Sequence, residues 1–361
     1  MRILVTGGAG FVGSHLVHDL LLQDHEVVVV DNFSSGSPVR LAEVHRRTGR
    51  HATVMCADVR SMSAMTAALD GVSVVIHLAA HKSVRASWNA PEDYIDNNIG
   101  GMRTVLSAMA RVGVRRILYA SSAAVYGSST HVPIAEEATP NPKSPYAQTK
   151  MMGEQLLAQQ ADRLGWSAVS LRYFNPVGAD LLGGLTHVMG GDSGLVPRAL
   201  QAICDPSAPL TVFGTAHGTP DGTCVRDYID IRDLVRAHLL VLVHMQTPGH
   251  HVFNLSTGRS SSVLDVLAAC ERVTGRPVPH VFGDPRRGDP AMSIGSAQKV
   301  ARLTGFQPSY SLDDMVGSVW WARAVPTDHS PKSVGGPWSS ANALPISSQS
   351  LERPEPPHPR P

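Results

Sequence analysis

Val5-Thr6-Gly7-Gly8-Ala9-Gly10-Phe11-Val12-Gly13-Ser14-His15 joins the β-branched run Ile3–Thr6 to a helical pattern near residues 12–22. It holds Gly8-x-Gly10-x-x-Gly13 and, overlapping it, Gly7-x-x-Gly10-x-x-Gly13. Glycine allows a tight turn and a close approach of backbone to a pyrophosphate, whose charge a helix N-terminus favours. Glycines at this spacing are common. The strand before them and the helix after them make this a dinucleotide loop. The next strand runs through Val28-Val29-Val30 into Asp31. An acid there accepts hydrogen bonds from the adenosine ribose and repels a 2′-phosphate, which favours NAD over NADP. Asp58-Val59, after the third strand, is placed to reach adenine, although Asp58 alone reads more readily as a loop or cap residue.

Strand patterns at Ile3–Thr6, Glu26–Val30, Thr53–Cys56, Val74–His77, Arg116–Ala120 and Ala168–Arg172 alternate with helical stretches near 12–22, 61–70, 91–112 and 146–164. That alternation predicts an α/β fold with a doubly wound parallel sheet of Rossmann type. Val27–Val30 is continuously apolar, as a strand covered on both faces should be. Past residue 175 the texture changes, with a glycine-rich stretch at 183–194 and helical patterns near 195–204, 231–245, 263–274 and 312–322. The expected organisation is an NAD-binding domain over 1–175 and a smaller C-terminal substrate-binding lobe over 176–324, with some segments returning to the main sheet. The Pro/Ser-rich remainder, 325–361, buries too little apolar surface to order itself and is expected to be a disordered tail.

The 361 residues are 43% hydrophobic with a net charge of +1, a balance that gives no electrostatic reason to expect nucleic acid or an anionic membrane. Cys56, Cys204, Cys224 and Cys270 are scattered without metal spacing and read as buried apolar residues in a reducing compartment. The histidines are dispersed too; His250-His251 reads as a surface or strand pair, and no metal site is expected. The first residues enter a strand directly, with no signal-peptide pattern, and no window is apolar enough to span a bilayer. A cytoplasmic location is the expectation.

Tyr146 and Lys150 follow Ser121-Ser122 in the chain and are four residues apart, so on a helix they share a face. An ammonium beside a phenol favours the phenolate, and a phenolate can take the proton of a sugar hydroxyl as hydride leaves the same carbon. The pair carries weight because it stands with the glycine loop and the serines in this order.

The chain resembles the UDP-glucose 4-epimerase (UDP-galactose 4-epimerase) family of the extended short-chain dehydrogenase/reductase superfamily from Met1 to about Trp321. The resemblance rests on the opening loop, Asp31-Asn32-Phe33-Ser34-Ser35-Gly36, His77-Leu78-Ala79-Ala80-His81-Lys82 and Asp96-Asn97-Asn98. It continues through Ser121-Ser122-Ala123-Ala124-Val125-Tyr126-Gly127, Ser144-Pro145-Tyr146-Ala147-Gln148-Thr149-Lys150, Leu171-Arg172-Tyr173-Phe174-Asn175-Pro176-Val177-Gly178-Ala179 and Val225-Arg226-Asp227-Tyr228-Ile229. It implies that Tyr146 is the base on the sugar 4-hydroxyl, that Ser122 helps relay its proton, and that Lys150 holds the nicotinamide ribose and tunes Tyr146. It implies an NAD site lined by Gly7, Gly10, Phe11, Val12, Gly13, Asp31, Asn32, Phe33, Ser34, Ser35, Gly36, Asp58, Val59, Leu78, Ala79, Ala80, Lys82, Asn97 and Phe174, besides the Ser122, Tyr146 and Lys150 triad. Lys82, Ser122, Tyr146, Asn175, Leu195, Arg226, Arg287, Asp289 and Met292 are the implied nucleotide-sugar contacts. An ion pair of Arg226 with Asp227 or Asp230 is the lesser alternative.

The implied reaction is NAD-dependent epimerisation at C4 of a nucleotide-linked hexose, UDP-glucose or UDP-galactose, through a 4-keto sugar. NAD is regenerated each turnover and is expected to stay tightly bound; a homodimer packed through 91–112 and 146–164 is also implied. Related outcomes remain open: UDP-N-acetylhexosamine, UDP-uronate or specialised-metabolite sugar epimerisation, or a catalytically quiet NAD-binding protein. The 4,6-dehydratases place an Asp-Glu pair where this chain has Ala123-Ala124, and alanines shuttle no protons. The family's Asn-Leu-x-Pro segment is Gly194-Leu195-Val196-Pro197 here, which removes one side-chain contact near the phosphates. Arg286-Arg287-Gly288-Asp289-Pro290-Ala291-Met292 is shorter than usual, and a methionine at 292 does not decide between bulky and small sugars.

Overall fold

The apolar runs of the first half pair into one parallel sheet. In this computed structural model, which describes residues 1–129, 131–180, 194–286 and 288–322, the strands are β1 (Arg2–Thr6), β2 (Glu26–Asp31), β3 (Thr53–Cys56), β4 (Val74–His77), β5 (Arg116–Ser122) and β6 (Ser167–Tyr173). Gly249–Leu255 adds a seventh strand beside β6. Across the sheet the order is the Gly249–Leu255 strand, β6, β5, β4, β1, β2, β3. The order reverses between β1 and β4, and ligands of doubly wound sheets bind at such a point, beyond the carboxyl ends of the strands.

Each central strand is buried on both faces. Ile3, Val5, Val27, Val29, Val74, Ile76, Leu118 and Val169 face one core, which the helices Phe11–Leu22 and Ile231–His244 complete. Leu4, Val28, Val30, Val75, Ile117, Tyr119 and Ala168 face the other, against the helices Met62–Ala68, Gly101–Val112 and Pro145–Leu164. The period-two alternation of strands thus places successive residues of one continuous apolar run in two different cores. A third cluster gathers Val177, Val196, Leu200, Leu210, Val266 and Val316 from the second half of the chain.

The predicted helices at 195–204 and 263–274 are found at Leu195–Cys204 and Val263–Thr274. The predicted 91–112 helix is three pieces: Pro91–Tyr94, a π-helical turn over Ile95–Gly100, and Gly101–Val112. A helix at Pro38–Thr48 has no counterpart among the sequence patterns above. Two cysteines depart from expectation: Cys224 and Cys270 are buried, but Cys56 lies on the edge strand β3 and Cys204 ends its helix, and both are exposed. All described residues belong to one compact unit, Met1–Pro326. The glycine-rich stretch at 183–191, Arg287 and the 325–361 tail lie outside the described residues.

Candidate active site

A cavity of about 900 Å³ lies over the carboxyl ends of β1, β4 and β5. Its floor is the glycine loop. Gly7 has φ +71°, and a Cβ there would stand 2.8 Å from the Ala79 nitrogen. A Cβ on Gly13 would come within 2.2 Å of the Gly7 carbonyl oxygen. Gly10 caps the Phe11–Leu22 helix with no side-chain hydrogen bond, so the helix offers its first N–H groups to the cavity. A side chain at either position would collide with the backbone that shapes this loop, and the uncapped helix start that the tight turn presents fits a dinucleotide pyrophosphate.

Asp31 is held by two backbone donors, Ala9 N to Oδ2 at 2.9 Å and Phe33 N to Oδ1 at 2.8 Å. Asn32, Ser34, Ser35 and Val59 line the cavity with it. Phe33 and Gly36 do not. Phe33 turns the chain at φ 56°, and Gly36 packs so closely behind Asp31 that a Cβ would lie 2.8 Å from Oδ1. Asp58 also stands back from the cavity. Hydrogen bonds from Arg60 hold its carboxyl down at about 2, and Asn32 Nδ2 donates to it at 3.3 Å.

Leu78, Ala79, Ala80 and Lys82, after β4, form the next wall, together with Asn97. Their loop is stapled by Asn98, to which the sequence alone assigned no role. Its Oδ1 accepts from His81 N at 2.8 Å, and its Nδ2 donates to His81 O at 3.1 Å and to Thr149 Oγ1 at 3.0 Å. The π-helical turn brings it there; such turns widen a helix by one residue and gather at functional sites. The signal in the sequence was Asn97-Asn98, two poor helix formers inside a helical pattern.

Tyr146 and Lys150 project from the Pro145–Leu164 helix, whose start is fixed by Pro145 and by Ser144 Oγ accepting from Ala147 N at 3.2 Å. Both side chains are buried, at 9% and 4% exposure. Ser122 ends β5, lines the cavity with Tyr146 and accepts from Ala124 N at 3.2 Å. It therefore caps the 3-10 turn Ala123–Tyr126 as well as facing the tyrosine. Lys150 Nζ donates to Ala120 O at 2.8 Å and sits 5.8 Å from the centre of the Tyr146 ring.

The expected lowering of Tyr146 by Lys150 does not emerge from the protein's own groups. Burial pushes the phenol up to about 12 against the hydrogen bond from Ser122. Burial likewise drives Lys150 down to about 7, with Glu154 opposing. Desolvation of the charged form dominates at both groups.

Toward the second half of the chain the cavity is lined by Phe174, Asn175, Leu195, Arg226 and Asp289. Asn175 Nδ2 donates to Asp227 O at 2.8 Å. Leu195 opens a helix whose N-cap, Gly194, carries no side-chain cap. Arg226 Nη1 donates to Val225 O at 2.9 Å and Pro290 O at 2.8 Å, and its acidic neighbour is Asp289 at 3.9 Å. Neither alternative partner holds it. Asp227 is wrapped by Thr257, Gly258 and Gly295, and Asp230 pairs with Arg232. Met292 bridges to Val225 and stays off the cavity wall, which its neighbour Ser293 lines instead, as strand alternation requires. Phe213, with the Arg286 guanidinium 3.9 Å from its ring centre, is a wall that no sequence pattern marked. Only the pairing of Leu210–Phe213 with His280–Gly283 brings it there.

The model of the NAD dependent epimerase/dehydratase family matches residues 3–256. A UDP-glucose 4-epimerase of Halalkalibacterium halodurans is 37% identical over 333 residues, which cover 91% of this chain and 98% of that protein. Among solved structures, the UDP-glucose 4-epimerase of Stenotrophomonas maltophila with bound NAD and formylated UDP-arabinopyranose superposes with a TM-score of 0.86 at 38% identity, covering 90% of this chain and 98% of that one. That of Bifidobacterium longum, in complex with NAD+ and UDP, gives 0.87 at 36%, covering 90% and 99%.

Proposed function

The chain belongs to the NAD dependent epimerase/dehydratase family, and we propose that it inverts C4 of a nucleotide-linked hexose, with UDP-glucose and UDP-galactose as the substrate pair. The observation that carries this reading is the buried Tyr146 phenol, with Ser122 and, one turn on, Lys150 lining the same cavity as the glycine cradle. NAD, when bound, supplies the hydride acceptor and donor at the sugar carbon. The residues over 1–175 hold it: the Gly7–Gly13 loop the pyrophosphate, Asp31 the adenosine ribose, Lys150 the nicotinamide ribose.

Tyr146 takes the proton from the 4-hydroxyl and returns it to that oxygen as hydride comes back to the opposite face of C4, with Ser122 holding the oxygen in both directions. A phenol at about 12 is a poor base near neutral pH, so positive charge must come near it at the moment of reaction. Lys150 and the oxidised cofactor are the sources of that charge. Between the two transfers the flat sugar must turn over. Asn175, Leu195, Arg226 and Asp289 therefore belong to the nucleotide end, where a planar guanidinium suits phosphate oxygens. The sugar end meets Ala123 and Ala124, which have no polar side-chain atoms with which to fix it. Those alanines also leave a 4,6-dehydratase without its acid and base.

The test incubates purified protein with UDP-glucose, UDP-galactose, UDP-N-acetylglucosamine and UDP-glucuronate, follows products by proton NMR, and assays NAD released on denaturation. Interconversion of the first two without added cofactor is the expected result. A 4-keto-6-deoxy product would overturn the proposal. Tyr146→Phe should cut kcat by about a hundredfold or more with NAD still bound; unchanged turnover removes Tyr146 from the reaction. The chain is also read as a homodimer joined through 91–112 and 146–164, where Ile95, Val112 and Leu164 are exposed. Light scattering on the eluting protein checks the mass.

A further inference from the structure

Beneath the Ser122 end of β5 lies a buried polar cluster that the reaction as described does not use. Glu154 is one turn past Lys150 on the Pro145–Leu164 helix, so Tyr146, Lys150 and Glu154 stand on one face. Its Oε1 accepts from Ser121 Oγ at 2.5 Å and from Arg172 Nε at 2.9 Å, and its Oε2 accepts from Arg172 Nη2 at 2.6 Å. Arg172 Nη1 donates in turn to the Tyr126 hydroxyl at 2.8 Å, at the end of the 3-10 turn that Ser122 caps. Glu154, Arg172 and Ser121 are 6%, 4% and 2% exposed. Burying an ion pair this deeply is seldom worth its desolvation for stability alone.

We propose that Glu154 is a positioning residue for the reaction: it keeps Lys150 as the ammonium and ties the Ser121-Ser122 strand end to the helix that carries Tyr146. The inference rests on the role given above to Tyr146 and Lys150. The charges around Lys150 support it. His77 on β4 is neutral, driven down to about 3 by burial. Tyr119 on β5, 5.0 Å away, and Tyr173 on β6 are phenols pushed well above their ordinary range, and His250 on the neighbouring strand is driven down to about 4. Arg172 on β6 is a cation, and Tyr146 on the same helix is a neutral phenol near pH 7. Glu154 is the group whose charge raises the proton affinity of Lys150 against burial.

Losing that carboxylate shifts the Lys150 titration to lower pH, by about one unit for a neighbour this close. The lysines are Lys82, Lys143, Lys150, Lys299 and Lys332, so 13C-lysine NMR resolves the titration, with the Lys150→Arg spectrum identifying the signal. Glu154→Gln should move the Lys150 midpoint down and carry the alkaline limb of kcat with it. Ser121→Ala, which cuts the tether and keeps the charge, should leave the midpoint in place. If Glu154→Gln does not fold, the paired Glu154→Met, Arg172→Met variant removes both charges together and should shift the midpoint the same way by a smaller amount. A midpoint unchanged in the folded variant, with turnover lowered equally at every pH, would make Glu154 a brace only and overturn the proposal. The NMR titration needs no substrate, so it stands even if the wild type turns over none of the four nucleotide sugars, an outcome that would sink the epimerase reading instead.

Discussion

Gly13→Ala isolates the geometry of the cofactor cradle. Gly13 lies within the Phe11–Leu22 helix and is not among the positive-φ glycines, so alanine meets no backbone strain and, by intrinsic propensity, helps the helix by about 1 kcal/mol. The added Cβ would nonetheless stand 2.2 Å from the Gly7 carbonyl oxygen, 2.7 Å from Gly8 Cα and 2.9 Å from Gly8 C. All three are backbone atoms, which cannot rotate away, so the helix must retreat by more than about 1 Å to reach ordinary contact. Overpacking of this kind costs about 1–3 kcal/mol of stability. The retreat also withdraws the helix N-terminus from the pyrophosphate. Loss of one hydrogen bond to a charged group, about 1.5–3 kcal/mol, weakens NAD binding roughly ten- to a hundredfold. Released NAD per mole of purified protein and the urea midpoint measure the two effects. Gly275→Ala is the control: a Cβ there meets nothing within 4 Å, but its φ of +68° is left-handed, so it should lose about 1 kcal/mol of stability and no NAD. A Gly13→Ala protein that retains NAD and stability like the wild type would refute the cradle argument.

Lys150→Met tests the cost of burying the ammonium. Lys150 is held down at about 7 against an ordinary 10.5, so between those values the unfolded chain binds more protons than the folded one. Wild-type stability therefore gains with rising pH across that window, by no more than about 5 kcal/mol. The stability difference between Lys150→Met and wild type in urea should favour the variant most near pH 7 and shrink toward pH 10; a difference constant with pH refutes the shift. Arg226→Lys loses the guanidinium that bridges Val225 O and Pro290 O. It should raise KM for the nucleotide sugar about tenfold or more with a smaller change in kcat, and a change in kcat alone would count against a nucleotide contact.

The parts of the fold that a short window dictates are legible in the residues themselves. Gly10 and Gly13 are demanded by atoms of their own loop and Gly7 by its positive φ, and β1, β2, β4, β5 and β6 are apolar enough to announce a sheet covered on both sides. The Gly249–Leu255 strand is not legible in this way, because Gly249-His250-His251-Val252 shows no clear alternation; its pairing with β6 across the chain makes it a strand. The Pro38–Thr48 helix opens with proline at its first turn, a signal masked by neighbouring residues that read as cofactor loop. The candidate site divides in the same way. Tyr146, Lys150 and Ser122 can be named from spacing and order, whereas Phe213, Asn98 and the Glu154–Arg172 pair acquire a place only from distant partners.

By itself the sequence determined the α/β frame and singled out the residues proposed to carry the chemistry, since glycine spacing, apolar runs and helix caps are each written within a few residues. Tertiary structure alone decided how those groups are tuned. It set Asp58 aside on Arg60, turned Ser293 rather than Met292 to the cavity, and raised the Tyr146 phenol where adjacency to Lys150 implied lowering. Proton affinity follows the water removed from a group and the charges brought around it, and both are fixed by segments far apart in the chain.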